Sequence, residues 1–156
     1  MRLWHKSLIK VLPRQQLIAQ WRECCAIAKN MSKSGTPNHI LVNRILDYPL
    51  EHFITYTELV INELLKRNYK VSNKSISAFY DNINKIYDNY FERTDKNIKF
   101  EDIFSDHDDI LKIWHNKRYF IQCFHNLEEK FDCGGIDINE WAKVINTYMF
   151  EINKIK

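Results

Sequence analysis

At 156 residues the chain has the length of one ordinary domain, and its 45% hydrophobic and 13% aromatic content is enough to build a core. Three glycines and three prolines are too few for a turn-rich all-β fold, and no run approaches the roughly 18 apolar residues of a membrane span. The net charge of +3 conceals an asymmetry: residues 1–44 carry eight basic side chains against one acid, Glu23, a net of +7, which leaves −4 for the other 112 residues.

The basic start Met1-Arg2-Leu3-Trp4-His5-Lys6 is not followed by the apolar stretch and cleavage site of a signal peptide. A first helix is expected from Pro13, a favoured first-turn residue, to about Asn30. Leu17, Trp21, Cys24, Cys25 and Ala28 form its apolar stripe. Gln15, Ala19, Arg22 and Ala26 lie opposite, with Gln16, Gln20 and Glu23 on the flank, and the two alanines leave a shallow floor. Residues 31–38 read as a turn and residues 39–46 as a short helix. Tyr48-Pro49 opens a longer helix ending near Asn68, whose buried side is Leu50, Phe53, Thr57, Val60, Ile61, Leu64 and Leu65. Ser72 caps the next, marked by Ile76, Phe79, Tyr80, Ile83, Ile86, Tyr87, Tyr90 and Phe91. A polar stretch from Arg93 to about His107 precedes a helix expected over residues 108–131, broken by Gly134-Gly135. Asp137 and Glu140 have capping-box spacing and start the last helix, with Trp141, Val144, Ile145, Tyr148, Met149 and Ile152 inward. No segment alternates as a strand. The expectation is an all-α fold, a single compact domain of five or six helices over residues 1–156.

A basic lobe on a nearly neutral chain suits a polyanion such as DNA, since phosphate contacts release counterions. The same cations can simply solvate a surface, and charge alone leaves both readings open. The adjacent Cys24 and Cys25 point in different directions on a helix, so with Cys123 and Cys133 they fit reduced thiols of a cytoplasmic protein better than a disulfide framework.

Three blocks carry more specific information: Met1-Arg2-Leu3-Trp4-His5, then Leu12-Pro13-Arg14-Gln15-Gln16-Leu17, then Gln20-Trp21-Arg22-Glu23-Cys24-Cys25. With Gly35-Thr36-Pro37-Asn38-His39 and Leu64-Leu65-Lys66-Arg67-Asn68-Tyr69, they resemble the bacterial branch of the pyrimidine-dimer DNA glycosylase (endonuclease V) family over about the first 70 residues. The resemblance implies a DNA-repair glycosylase with abasic-site lyase activity on damaged pyrimidines in duplex DNA. It implies an imine formed by the N-terminal amine, a carboxylate on the first helix as acid/base and charge stabiliser, no cofactor and a monomer.

On that resemblance Met1 is the candidate nucleophile and Glu23 the candidate catalytic acid. An α-amine has an ordinary pKa near 8, well below that of lysine, so part of it is a free nucleophile at neutral pH. Glu23 is also the only carboxylate in the first 46 residues, although pairing with a neighbouring arginine would explain it too. Two departures from the phage member of the family stand out. Bulky Arg2 argues that the initiator methionine stays and itself provides the amine, and the basic residue expected one turn beyond the Arg-Glu pair is Ala26. Arg2, Arg14 and Arg22 are candidate phosphate contacts, with Lys6 and Lys10 peripheral. His39 is a candidate either for DNA contact or for a structural cap. Trp4 and His5 are candidates for the planar group that opens the duplex, or for core.

Two further patterns carry little. Residues 129–140 fall in calcium-loop register, but Phe131 and Cys133 stand where oxygen ligands are needed. His107, Asp108, Asp109 and His115 lack a metal-binding spacing. The alternative function is a non-catalytic helical DNA-binding or protein-interaction module on the same scaffold.

Overall fold

The computed structural model describes residues 1–91 and 110–155. Among them there are five α-helices and no strand: α1 (Arg14–Ser34), α2 (Leu50–Lys66), α3 (Asn73–Ile86), α4 (Lys117–Asp132) and α5 (Ile138–Glu151). The 3₁₀ helices Lys6–Val11 and Asn43–Asp47 precede α1 and α2, and a π-helix, Tyr87–Phe91, continues α3. The all-α expectation holds.

The boundaries follow local chemistry. Pro13 caps α1, which runs one turn past its expected end, through Met31 to Ser34. It stops where Gly35 takes φ +73°, a left-handed conformation that glycine adopts without a Cβ clash, and the Gly35 N–H closes on the Met31 carbonyl. Ser72 caps α3 as expected, its hydroxyl accepting from Ser75 N–H. Residues 39–46 give the 3₁₀ helix Asn43–Asp47 and the turn before it rather than an α-helix.

The helix expected over residues 108–131 begins only at Lys117. Leu111 has a positive φ of 53° and donates its N–H to His52 Nδ1, while Asn116 caps α4 by accepting from Tyr119 N–H. The long-range bond to His52 and the local cap by Asn116 divert the backbone from a helical ladder. The polar stretch 93–107 and residues 108–109 lie outside the described residues. At α5, Asp137 accepts from Asn139 N–H. Glu140 does not complete a capping box; its carboxylate accepts from Arg14 N–H at 2.7 Å and so serves the start of α1 instead.

The buried apolar residues form one cluster extending from Leu3 to Val144. α1 packs against α2 and α3, α4 packs on α5, and the 3₁₀ helix Lys6–Val11 is held between α2 and α5. An aromatic ladder joins the last two helices: Phe131 stacks on Trp141 (5.1 Å between centroids), Trp141 on Phe124 (5.4 Å) and Phe124 on Tyr148 (3.8 Å). Three positions expected in the core face outward, Leu65, Ile145 and Met149, whereas Gln20, expected on an open flank, is fully buried. No helix is long and apolar enough to cross a membrane among the described residues. All four cysteines are free thiols.

Candidate active site

Residues 1–5 form an irregular arm that crosses α1 before the first 3₁₀ helix. The arm turns one N–H onto the lone acid of the basic lobe: Arg2 N–H donates to Glu23 Oε2 at 2.9 Å. Met1 is thereby one residue from a backbone group bonded to Glu23.

Around this contact lies a cleft of about 450 Å³. The arm contributes Met1, Arg2 and Trp4, and α1 contributes Gln15, Gln16, Ala19 and Glu23. His39 and Leu41 come from the turn before Asn43–Asp47, and Asn126 and Lys130 from α4. At 100° per residue the four α1 positions share one flank of the helix, and Ala19 leaves the floor between them shallow. Ala26 is not in the lining.

Three lining residues each carry a buried polar atom without a hydrogen-bond partner among the described residues: Arg2 Nη1, Gln16 Oε1 and His39 Nδ1. Each such atom costs about 1–3 kcal/mol if left unsatisfied, so their grouping marks a place suited to the polar groups of a ligand. The Arg2 guanidinium is turned inward, 5.2 Å over the Trp4 ring and beside the Cys123 thiol. His39 also has a structural role, since its carbonyl accepts from Val42 and Asn43 N–H and its own N–H donates to Asn43 Oδ1.

Of the six candidate site residues, Met1, Arg2, Glu23 and His39 meet in this cleft, and Arg14 and Arg22 do not. These two exposed arginines line a separate cleft of about 480 Å³ on the other flank of α1, with Trp21, Tyr69 and Lys70. Arg14 lies 5.4 Å over the Tyr69 ring. Lys10 is paired with Glu151 at 3.1 Å, and Arg44 lies over Trp114. The basic lobe is therefore spread over several faces.

His5 is not available as a wedge for DNA. It is fully buried, stacked on His115 with centroids 5.1 Å apart, and burial pushes its pKa down to about 4, so the ring is neutral. Trp4 lines the cleft but is itself 7% exposed and mostly core. No group of three or more His, Cys, Asp or Glu side chains is gathered for a metal among the described residues. His107, Asp108 and Asp109 lie outside them.

Sequence reasoning missed the far wall of the cleft. Asn126 and Lys130 are one helical turn apart on α4, but nothing in their spacing connects them with residues more than 100 positions earlier. Gln16 and Glu23 are two turns apart on one flank, a pattern visible in the sequence that did not by itself reveal a cleft.

Residues 1–77 match the family model described as pyrimidine dimer DNA glycosylase. The match contains the arm, all of α1 and α2 and the first turn of α3, and stops well before Asn126 and Lys130. No curated protein and no solved structure matches the chain.

Proposed function

With its N-terminal half belonging to the pyrimidine dimer DNA glycosylase family, a family that acts on damaged DNA, we propose that this chain excises damaged pyrimidines and then nicks the strand through an imine on the Met1 α-amine. The observation that carries this reading is the meeting of Met1, Arg2, Glu23 and His39 in one cleft, with Arg2 N–H bonded to Glu23.

In the proposed reaction the neutral α-amine attacks C1′ of the damaged nucleotide. The C1′–N bond breaks and the base leaves with its electron pair, taking up a proton. The sugar ring opens as the nitrogen forms a protonated imine with C1′, and the ring oxygen leaves as a hydroxyl. Glu23 stabilises the positive charge that develops on the sugar and then takes a proton from C2′. The electrons of that C–H bond expel the 3′ phosphate by β-elimination, and water hydrolyses the imine to return the amine. No metal or redox partner is needed for the balance.

Arg2 and His39 would contact the damaged strand inside the cleft, and Arg14 and Arg22 the backbone on the other flank of α1. Residues 1–156 would work as one helical unit, as a monomer, with α4 closing the cleft opposite α1.

The test is chemical trapping. Untagged protein is mixed with duplex DNA containing an abasic site, and borohydride is added to reduce any imine to a stable amine. The expected result is a covalent adduct that disappears with a short N-terminal extension, whereas Glu23→Gln still gives the adduct but leaves the strand un-nicked, because the base for the C2′ proton is gone. Tight binding without an adduct would instead support the non-catalytic module.

A further inference from the structure

The five residues that carry the candidate nucleophile are held by an unusual set of bonds. Within the arm the polar backbone groups are satisfied mainly by side chains from elsewhere in the fold. Trp4 N–H donates to Gln20 Oε1 at 2.9 Å, and the Trp4 carbonyl accepts from the Tyr56 hydroxyl at 2.7 Å. The Leu3 carbonyl accepts from the Tyr119 hydroxyl at 2.5 Å. At the end of the arm the His5 side chain donates from Nε2 to the His115 carbonyl at 2.8 Å, and just beyond it Lys6 N–H donates to His115 Nδ1 at 3.0 Å.

Gln20 and Tyr56 are fully buried and His115 is 3% exposed. Burying such groups is costly unless they are bonded, and apolar residues of similar size would fill the same space more cheaply. Chain termini are ordinarily the least ordered part of a domain. Here acceptors meet the N–H groups and hydroxyl donors meet the carbonyls, so a slip of one residue would move these groups off their partners and carry buried Leu3 and Trp4 out of their places in the core. The bonds therefore fix the register of the arm on α1, α2 and α4, and with it the distance from the α-amine to Glu23.

We propose that Gln20, Tyr56, Tyr119 and His115 are positioning residues for the reaction: they hold the arm in the one register that brings the Met1 amine to Glu23. This rests on the imine reading above. Two of the four, Tyr119 and His115, lie in the half of the chain outside the family match, which gives that half a role in the chemistry of the first.

The experiment uses the full chain with Tyr119→Phe and Tyr56→Phe, each of which removes one hydroxyl and keeps the ring. Three quantities are read: the adduct-forming rate at saturating abasic duplex, the Kd for the same DNA, and hydrogen exchange at the amides of residues 2–6. The expected result is a 10- to 100-fold slower rate, in line with the sensitivity of reaction to small misplacement, a Kd within twofold of wild type, and faster exchange in residues 2–6 while α1 and α2 stay protected. Restoring the hydroxyl, by reverting the substitution, must recover the rate. An unchanged rate in variants whose arm exchanges faster would overturn the positioning role, as would unchanged exchange. A rate lost together with protection of α1 and α2 would also overturn it, because the hydroxyls would then be supporting the fold. No adduct from the wild-type protein would instead refute the imine reading, and the positioning role with it.

Discussion

Glu23 is the residue on which most depends. It accepts from Arg2 N–H and faces a cleft whose other ionisable lining residues, among the described ones, are Met1, Arg2, His39 and Lys130. Glu23→Gln keeps the shape and the capacity to accept that bond but removes the base. The expected outcome is a loss of about 10²- to 10⁴-fold in strand-nicking rate, the usual contribution of a positioned acid/base, with a Kd for abasic duplex that changes little, as single-turnover assays would show. Arg22 belongs to a different class. Its side chain is exposed and lines the second cleft, so Arg22→Ala should weaken binding to damaged and undamaged duplex alike. The slope of log K against log salt should fall by about one for one lost phosphate contact, and titration at several salt concentrations would reveal it. An effect confined to damaged DNA would mean that Arg22 reads the lesion. At this scale the sequence displayed the isolated acid and the clustered cations, because both are matters of residue type and spacing. It could not reveal that Gln20 turns inward or that Arg2 folds over Trp4, since both follow from where the arm crosses α1.

The helices themselves were largely legible. Apolar periodicity and Ser72 and Pro13 as starts are local signals, and α1, α2, α3 and α5 follow them, although α1 runs on past its expected end to Gly35. Two of the failures share a cause in bonds made over long sequence separations. The start of α4 is displaced by a contact between Leu111 and His52, and Glu140 leaves its own helix to cap α1. Arg67 shows the same principle more strongly. It pairs with Glu63 at 2.6 Å and donates to the carbonyls of Leu12 at 2.6 Å and Lys10 at 2.8 Å, closing the C-terminal end of the 3₁₀ helix that follows the arm. Arg67→Met keeps much of the apolar stem but leaves those carbonyls and Glu63 without their donor. It should lower stability by about 2–3 kcal/mol, because bonds to charged donors are the stronger ones. Urea unfolding measures this, with the midpoint lowered and the slope unchanged.

Over the whole molecule, the buried histidine pair ties the N-terminal arm to the segment before α4 and makes stability depend on pH. Burial lowers the pKa of His5 from 6.5 to about 4, and that of His115 well below its ordinary value, with the neighbouring His5 and Lys6 adding to the effect. Both rings accept a backbone N–H at Nδ1, from Ser7 and from Lys6, which requires the neutral form. In the unfolded chain each histidine binds a proton near pH 6.5, so the unfolded state takes up more protons below that value. The stability due to this pair is thus fully present above pH 6.5 and is lost as the pH falls. For His5 the loss amounts to about 3 kcal/mol by pH 4. Urea midpoints should therefore decline from pH 7 to pH 4, and Lys6 amide protection should decline with them; a midpoint constant over that range would show that the rings take up protons in the fold as readily as in the unfolded chain. The distribution of charge is also a property of the whole. The +7 of residues 1–44 was plain in the sequence, but its division between the acid-containing cleft and the arginine cleft depends on which flank of α1 each side chain occupies. The assignment of the nucleophile is tested most directly by reducing the complex with abasic duplex, digesting it and locating the sugar remnant by mass spectrometry. The expected site is the α-amine of the peptide that begins with Met1. A remnant on a lysine side chain, with Lys130 in the same cleft as the foremost rival, and an unmodified Met1 would contradict it.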